Sequence, residues 1–182
     1  MATPERIRMT VEEFKQLPET NLPTELIDGE LIVMPAPKDD HQKLILPIGS
    51  YLRQIVPGGE VRVAPTDVWL GEDCVQPDVF WVSGPESKCK LGEDGYGYGA
   101  PDLVVEVLSP STAYRDRRTK FNLYQQHGVR EYWLADPEGQ YIEVYFLESG
   151  NFVRQGAFGK VDSFISPVLG GVSIKVGELL SV

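Results

Sequence analysis

The stretch at positions 101–110, Pro-Asp-Leu-Val-Val-Glu-Val-Leu-Ser-Pro, constrains this chain more than any other. Leu103, Val104, Val105, Val107 and Leu108 leave neither face of an extended strand polar. A strand of that kind lies inside a sheet covered on both sides, which points to a mixed α/β architecture. Glu106 interrupts the run. A lone buried carboxylate costs several kcal/mol unless it is paired, protonated or bound to a cation. Glu106 therefore lies at a strand end, pairs with an arginine, or belongs to a site.

A second acid stands in a similar place. In Gln76-Pro-Asp-Val-Phe-Trp-Val82, Asp78 opens an apolar strand directly after a proline. Read by itself, it is an Asp that starts a turn. Two strands of one sheet, each with a carboxylate amid apolar residues, can instead set both groups beside one hard divalent cation. Mg²⁺ takes oxygen ligands, commonly one or two carboxylates plus waters. Downstream, Asp116, Lys120 and Tyr124 fall at i, i+4 and i+8, on one helical face. The plain reading is an exposed Asp–Lys pair worth ~0.3–0.5 kcal/mol. The functional one is that Lys120 reaches over the strand of Glu106, where an ammonium balances charge on a phosphate. If so, its nitrogen lies within roughly 3–6 Å of Glu106. Glu25, at the lip of a short apolar strand, is a solvated edge residue or holds a metal-bound water. His41 sits in the first turn of a helix or contacts a phosphate.

Around these residues the elements follow in order. Thr10-Val-Glu-Glu13 is a capping box, so a short helix precedes Pro18. Residues 25–33 read as two strands about an Asp28-Gly29 turn. Asp39 or Asp40 caps a second helix, whose apolar positions Leu44, Ile45, Ile48, Leu52, Ile55 and Val56 recur at helical spacing. Pro47 inside it predicts a kink or a late start. Residues 60–70 and 75–82 read as a hairpin about Gly71-Glu72-Asp73. A Gly-rich loop at 83–101 is long enough to be functional or disordered. A helix opens at 109–112 and runs to about His127, with Gly128 just past its end. A strand at 131–135, a pair at 141–147 and 152–158, and a short tail at 176–180 close the chain.

With 182 residues, 42% apolar and 24% charged, the chain is the size of one globular domain, 1–182 with a core at about 10–175. No apolar run approaches the ~20 residues that cross a bilayer. The start lacks a basic region followed by an apolar one, so a cytoplasmic protein is expected, without membrane attachment. Cys74 and Cys89 lack metal-ligand spacing and read as ordinary thiols. The net charge of −10 gives no mean field for nucleic acid, so any such binding rests on a local basic patch. The basic groups of the C-terminal half gather at Arg115, Arg117, Arg118 and Lys120.

Together, Glu25-Leu-Ile-Asp-Gly-Glu-Leu, His41, Gln-Pro-Asp78, Leu-Val-Val-Glu106-Val-Leu-Ser-Pro-Ser-Thr, Lys120 with Tyr124, and Gly-Val-Arg-Glu-Tyr-Trp-Leu-Ala-Asp136-Pro resemble the Uma family. That family belongs to the PD-(D/E)XK nuclease superfamily. The resemblance spans roughly residues 10–175. It implies a restriction-endonuclease-like core, a mixed central β-sheet flanked by helices with extra β-hairpins. It also implies an Mg²⁺- or Mn²⁺-dependent endonuclease that hydrolyses phosphodiester bonds of nucleic acid, with DNA favoured over RNA. Asp78 matches the Asp of the "PD" and Glu106 the (D/E); these two would hold the metal, with the Val107 carbonyl beside them. The lysine expected two residues after Glu106 is replaced by Leu108, and Lys120 on the following helix matches the alternative placement. Glu25 matches an accessory acid. His41, Arg115, Arg117 and Arg118 would contact phosphates. Pro101-Asp102 competes for the "PD" position but lies too close to Glu106 to come from a second strand. Cutting both strands of a duplex takes two sites, which makes a homodimer the matching assembly. The rival reading is a catalytically silent module that keeps the nuclease fold for binding.

Overall fold

A computed structural model describes residues 7–18, 20–35 and 39–181. The six residues on which the absence of a leader was read lie outside that set. Helix α1 (Val11–Lys15) starts at Thr10, whose side chain and that of Glu13 cap each other's backbone. Strands β1 (Thr24–Ile27) and β2 (Glu30–Val33) pair antiparallel. Their turn is Asp28-Gly29, both at positive φ (52° and 70°), the geometry that matches strand twist. Helix α2 (Asp39–Ile55) runs without interruption through Pro47. Its cap position lies outside the described residues. A proline inside a helix costs ~3 kcal/mol; burial of Leu44, Ile45, Ile48 and Leu52 on one face offsets it.

Next come β3 (Glu60–Val63), β4 (Val68–Leu70), β5 (Asp73–Val75) and β6 (Val79–Val82). The expected single hairpin is divided here. β4 and β5 pair in one sheet, and β3 and β6 pair in another. The divisions fall at Pro65 and Pro77, which lack the N–H a ladder needs. The Ala64 N–H still donates to the Asp78 carbonyl at 2.9 Å, tying the two crossing strands where they part. Two short strands, β7 (Lys90–Leu91) and β8 (Gly97–Tyr98), order the Gly-rich segment.

Strand β9 (Leu103–Val107) leads into a helical segment of three parts: α3 (Ala113–Arg115), a π-helical turn (Asp116–Lys120) and α4 (Phe121–His127). Gly128, at φ 84°, closes it in the left-handed conformation that favours glycine. Then follow β10 (Glu131–Asp136), β11 (Tyr141–Glu148), β12 (Asn151–Gly159), β13 (Ser163–Ser166), β14 (Val172–Lys175) and α5 (Val176–Leu179). The β13–β14 hairpin was not anticipated from the sequence.

The first sheet has the order β2-β1-β5-β4-β8-β7 and the second β12-β11-β10-β9-β6-β3. In the second, β9 and β10 are parallel and all other neighbours antiparallel. One face of it packs Val105, Val107 and Trp133 against α2, α5 and the last hairpin. The other packs Val104, Tyr132 and Leu134 against α4 and the first sheet. β9 is thus covered on both faces, as its composition requires. Among the described residues no helix is long and apolar enough to cross a membrane.

Candidate active site

The site lies where the divided hairpin leaves one sheet for the other. Alternation along β9 turns Val105 and Val107 to the α2 side and Val104 and Glu106 to the α4 side. Glu106 is 2% exposed. Its Oε1 accepts from Lys120 Nζ at 3.0 Å and from the Tyr124 hydroxyl at 2.7 Å. Its Oε2 accepts the Asp78 N–H at 3.3 Å. Asp78, at the head of β6, returns the contact: its Oδ2 accepts the Val107 N–H at 2.7 Å. The two carboxylates therefore share one end of the β6–β9 pair. His41 Nε2 lies 3.0 Å from the same Asp78 oxygen, brought there by the first turn of α2.

Lys120 is 3% exposed and bridges two acids, with Glu25 Oε1 at 2.8 Å and Glu106 Oε1 at 3.0 Å. Glu25 points inward from β1 rather than out from a lip, and its Oε1 also accepts the Gln76 N–H at 2.9 Å. Its other oxygen, Oε2, is buried without a hydrogen-bond partner, as are His41 Nδ1 and Gln76 Oε1. Asp116, which the sequence offered as an exposed Lys partner, is buried at the cavity edge. The wide π turn carries Asp116 and Lys120 at its two ends, a feature frequent at functional sites.

Four carboxylates (Glu25, Asp78, Glu106, Asp116) thus gather around one lysine and one histidine. The electrostatics follow from that excess. Burial, with the charges of Asp78 and Asp116, lifts the Glu106 pKa well above the usual range despite Lys120 and Tyr124. Burial also raises Asp116 to about 6, against the pull of Lys120 and a Thr112 hydrogen bond. Burial works against the Lys120 charge, but Glu106 and Glu25 outweigh it and hold the ammonium. For His41 burial lowers the pKa, and the Asp78 hydrogen bond and charge reverse this to a net rise.

A cavity of about 510 Å³ opens onto this cluster. Its lining includes the polar groups Asp78, Glu106, Asp116, Lys120 and His41 and the apolar residues Pro23, Met34, Pro35, Ile45 and Pro65. The three arginines expected at phosphates do not line it. Arg117 is committed to Glu143 (2.7 Å) and the Tyr141 hydroxyl (3.3 Å) on β11, while Arg118 is exposed. Position 118 lies on the far side of the helix from 116, 120 and 124, while position 117 flanks that stripe and is drawn to β11 by Glu143 and Tyr141. Asp102 stands at the opposite end of β9, where it accepts from the Ser83 N–H at 2.9 Å and Arg130 at 3.3 Å. Both cysteines are free and buried, and burial pushes the Cys74 thiol up, which leaves it unreactive.

A mixed sheet flanked by helices, with paired acids at the end of two adjacent strands, defines a restriction-endonuclease-like fold. The same fold is seen in the crystal structure of "a putative nuclease belonging to DUF820" from Anabaena variabilis: the two match with a TM-score of 0.73 at 22% identity, over 95% of this chain and 98% of that one. Residues 11–177 match the Uma2 family model, described as "Putative restriction endonuclease", and the chain belongs to that family. An uncharacterized Synechocystis sp. protein, slr1290, is 26% identical over 144 residues, covering 76% of this chain and 74% of that protein.

Proposed function

We propose that the protein is a divalent-cation-dependent nuclease that hydrolyses phosphodiester bonds, DNA being the favoured substrate. The observation that carries this reading is the cluster of four acids about Lys120: Asp78, Glu106 and Asp116 line the cavity, and Glu25 is buried against the lysine. The residues fit a hard cation. All the acids are oxygen donors, they outnumber the cationic groups, and one buried oxygen, Glu25 Oε2, has no partner. Among the described residues no group of three or more His, Cys, Asp or Glu side chains is placed to hold a metal ion. Asp78 and Glu106 would therefore hold Mg²⁺ or Mn²⁺ as a two-carboxylate site completed by the Val107 carbonyl and water. When bound, the cation supplies Lewis-acid polarisation of the phosphate and activation of water.

The chain's own groups do the rest. Lys120, kept as an ammonium by Glu25 and Glu106, is no proton acceptor; it stabilises negative charge growing on the phosphoryl oxygens. Glu25 fixes that ammonium, and Tyr124 fixes Glu106. His41 holds Asp78 through Nε2, and its unpartnered Nδ1, when it carries a proton, can donate to a phosphate oxygen. Arg118, exposed and outside the cavity, would meet phosphates of the flanking chain; Arg115 has its Nη1 buried without a partner and is not placed to do so.

The test is cleavage of single- and double-stranded oligonucleotides with Mn²⁺, wild type against Glu106→Ala and Lys120→Met. Cation-dependent cleavage by the wild type, absent in both variants, is expected. Cleavage that survives Glu106→Ala would place the chemistry elsewhere.

A further inference from the structure

Resting on that hydrolytic reading, we infer that the substrate is an unpaired strand, one unstacked nucleotide of which enters the 510 Å³ cavity with its phosphate at the acid cluster. Depth is the first argument. Glu106 and Lys120 are 2% and 3% exposed, so a reacting phosphate has to descend into the cavity to meet them. A phosphate in a stacked duplex cannot do so without its nucleotide leaving the helix, and the cost of leaving is smallest for an unpaired base.

The walls are the second argument. A groove that only tracks a backbone is lined by cations. Here the lining also includes Pro23, Met34, Pro35, Ile45 and Pro65, apolar surface of the kind on which the face of a base packs. The volume lies in the range of pockets that enclose a small ligand. Neutral groups at Asn21, Gln42, Ser111 and Thr112 provide donors and acceptors for a base edge or sugar.

Charge is the third. Among the described residues the cationic side chains lining the cavity are Lys120 and His41, each held by an acid. Duplex binding draws on many phosphate contacts spread along the helix, and this chain carries a net charge of −10 with Arg117 tied to Glu143. One phosphate at the floor and one base on the wall is what the cavity can satisfy.

The experiment compares, with Mn²⁺, a small diester (bis-p-nitrophenyl phosphate), a single-stranded oligonucleotide, the same sequence as blunt duplex, and that duplex with a single-stranded overhang. The single strand should be cut with kcat/KM at least about tenfold above the blunt duplex, and the overhang trimmed back toward its junction. Met34→Ala, which removes wall surface, should raise KM for the single strand several-fold while kcat holds. Blunt duplex cut as fast as single strand, with the small diester hydrolysed by wild type and not by Glu106→Gln, would overturn the inference and leave the hydrolytic reading standing. Hydrolysis of the small diester without cleavage of either nucleic acid would also overturn it. No hydrolysis in any arm would overturn both.

Discussion

Glu106 and Glu131 stand on adjacent parallel strands of one sheet, 2% and 1% exposed, and burial raises the pKa of each. Their surroundings differ. Glu106 faces α4, a lysine, three further acids and an open cavity. Glu131 faces the other side and is closed over by neutral donors: the Trp133 indole N–H at 2.7 Å, the Ser166 hydroxyl at 2.9 Å and the Val168 N–H at 3.4 Å. It pins the β13–β14 hairpin to the sheet. Burial and a perturbed pKa are thus common to a structural carboxylate and a candidate catalytic one. Unbalanced charge at an accessible floor separates them.

The sharpest way to break this contrast is Lys120→Met. It leaves Glu25 and Glu106 buried without their cation, which should cost about 3–5 kcal/mol in urea melts. Activity should vanish while Mn²⁺ still raises Tm, because an ammonium is not a ligand. A variant as stable as wild type would show that the acids do not depend on Lys120. Next, Glu131→Ala strands three buried donors and should cost roughly 1–3 kcal/mol, with the Mn²⁺ response and the rate per folded molecule unchanged. Glu106→Gln should do the opposite, abolishing the rate while the cation-free fold holds its stability or gains some. Equal behaviour of the two variants would erase the distinction.

The pH dependence of the cation-free protein is a smaller effect with a fixed sign. Asp116 at about 6 and Glu131 at about 7, both raised from ordinary carboxylate values, bind protons more tightly folded than unfolded. Their contribution is complete below the unfolded values and is lost as pH climbs through the folded ones. Tm should therefore fall between about pH 5 and about pH 7.5. Glu131→Gln should flatten the upper part and Mn²⁺ the part due to Asp116. The lowered carboxylates Asp102 and Glu143 titrate below that window. A Tm that rises through it would contradict the assignment. The smallest effect is expected of Arg117→Ala. Its partly exposed pair with Glu143 should be worth no more than about 1 kcal/mol by thermal melts.

Several elements were legible because one local rule decides them: the Thr10 capping box, the Asp28-Gly29 turn, Gly128 at the helix end, and β9 with its apolar faces. Glu106 could be read as a buried acid because every neighbour in its strand is apolar. Asp116 could not, since a helical Asp–Lys pair has the same spacing in solvent as in a core and nothing in the letters marks a π turn. Glu131 looked like the polar start of a strand, because the hairpin that covers it lies more than thirty residues downstream. The division of the 60–82 hairpin between two sheets had a signal in Pro65 and Pro77. It stayed hidden because the apolar runs on either side read continuously. Glu25 was legible as an acid on a strand and not as the counter-ion of Lys120, a contact made only when the two sheets close.

The central claim is that Asp78 and Glu106 hold a divalent cation. Calorimetric titration of Mn²⁺ into wild type and Glu106→Gln tests it directly. The account predicts a saturable isotherm for the wild type, accompanied by proton release, and its loss in the variant. The same isotherm in both proteins would contradict it.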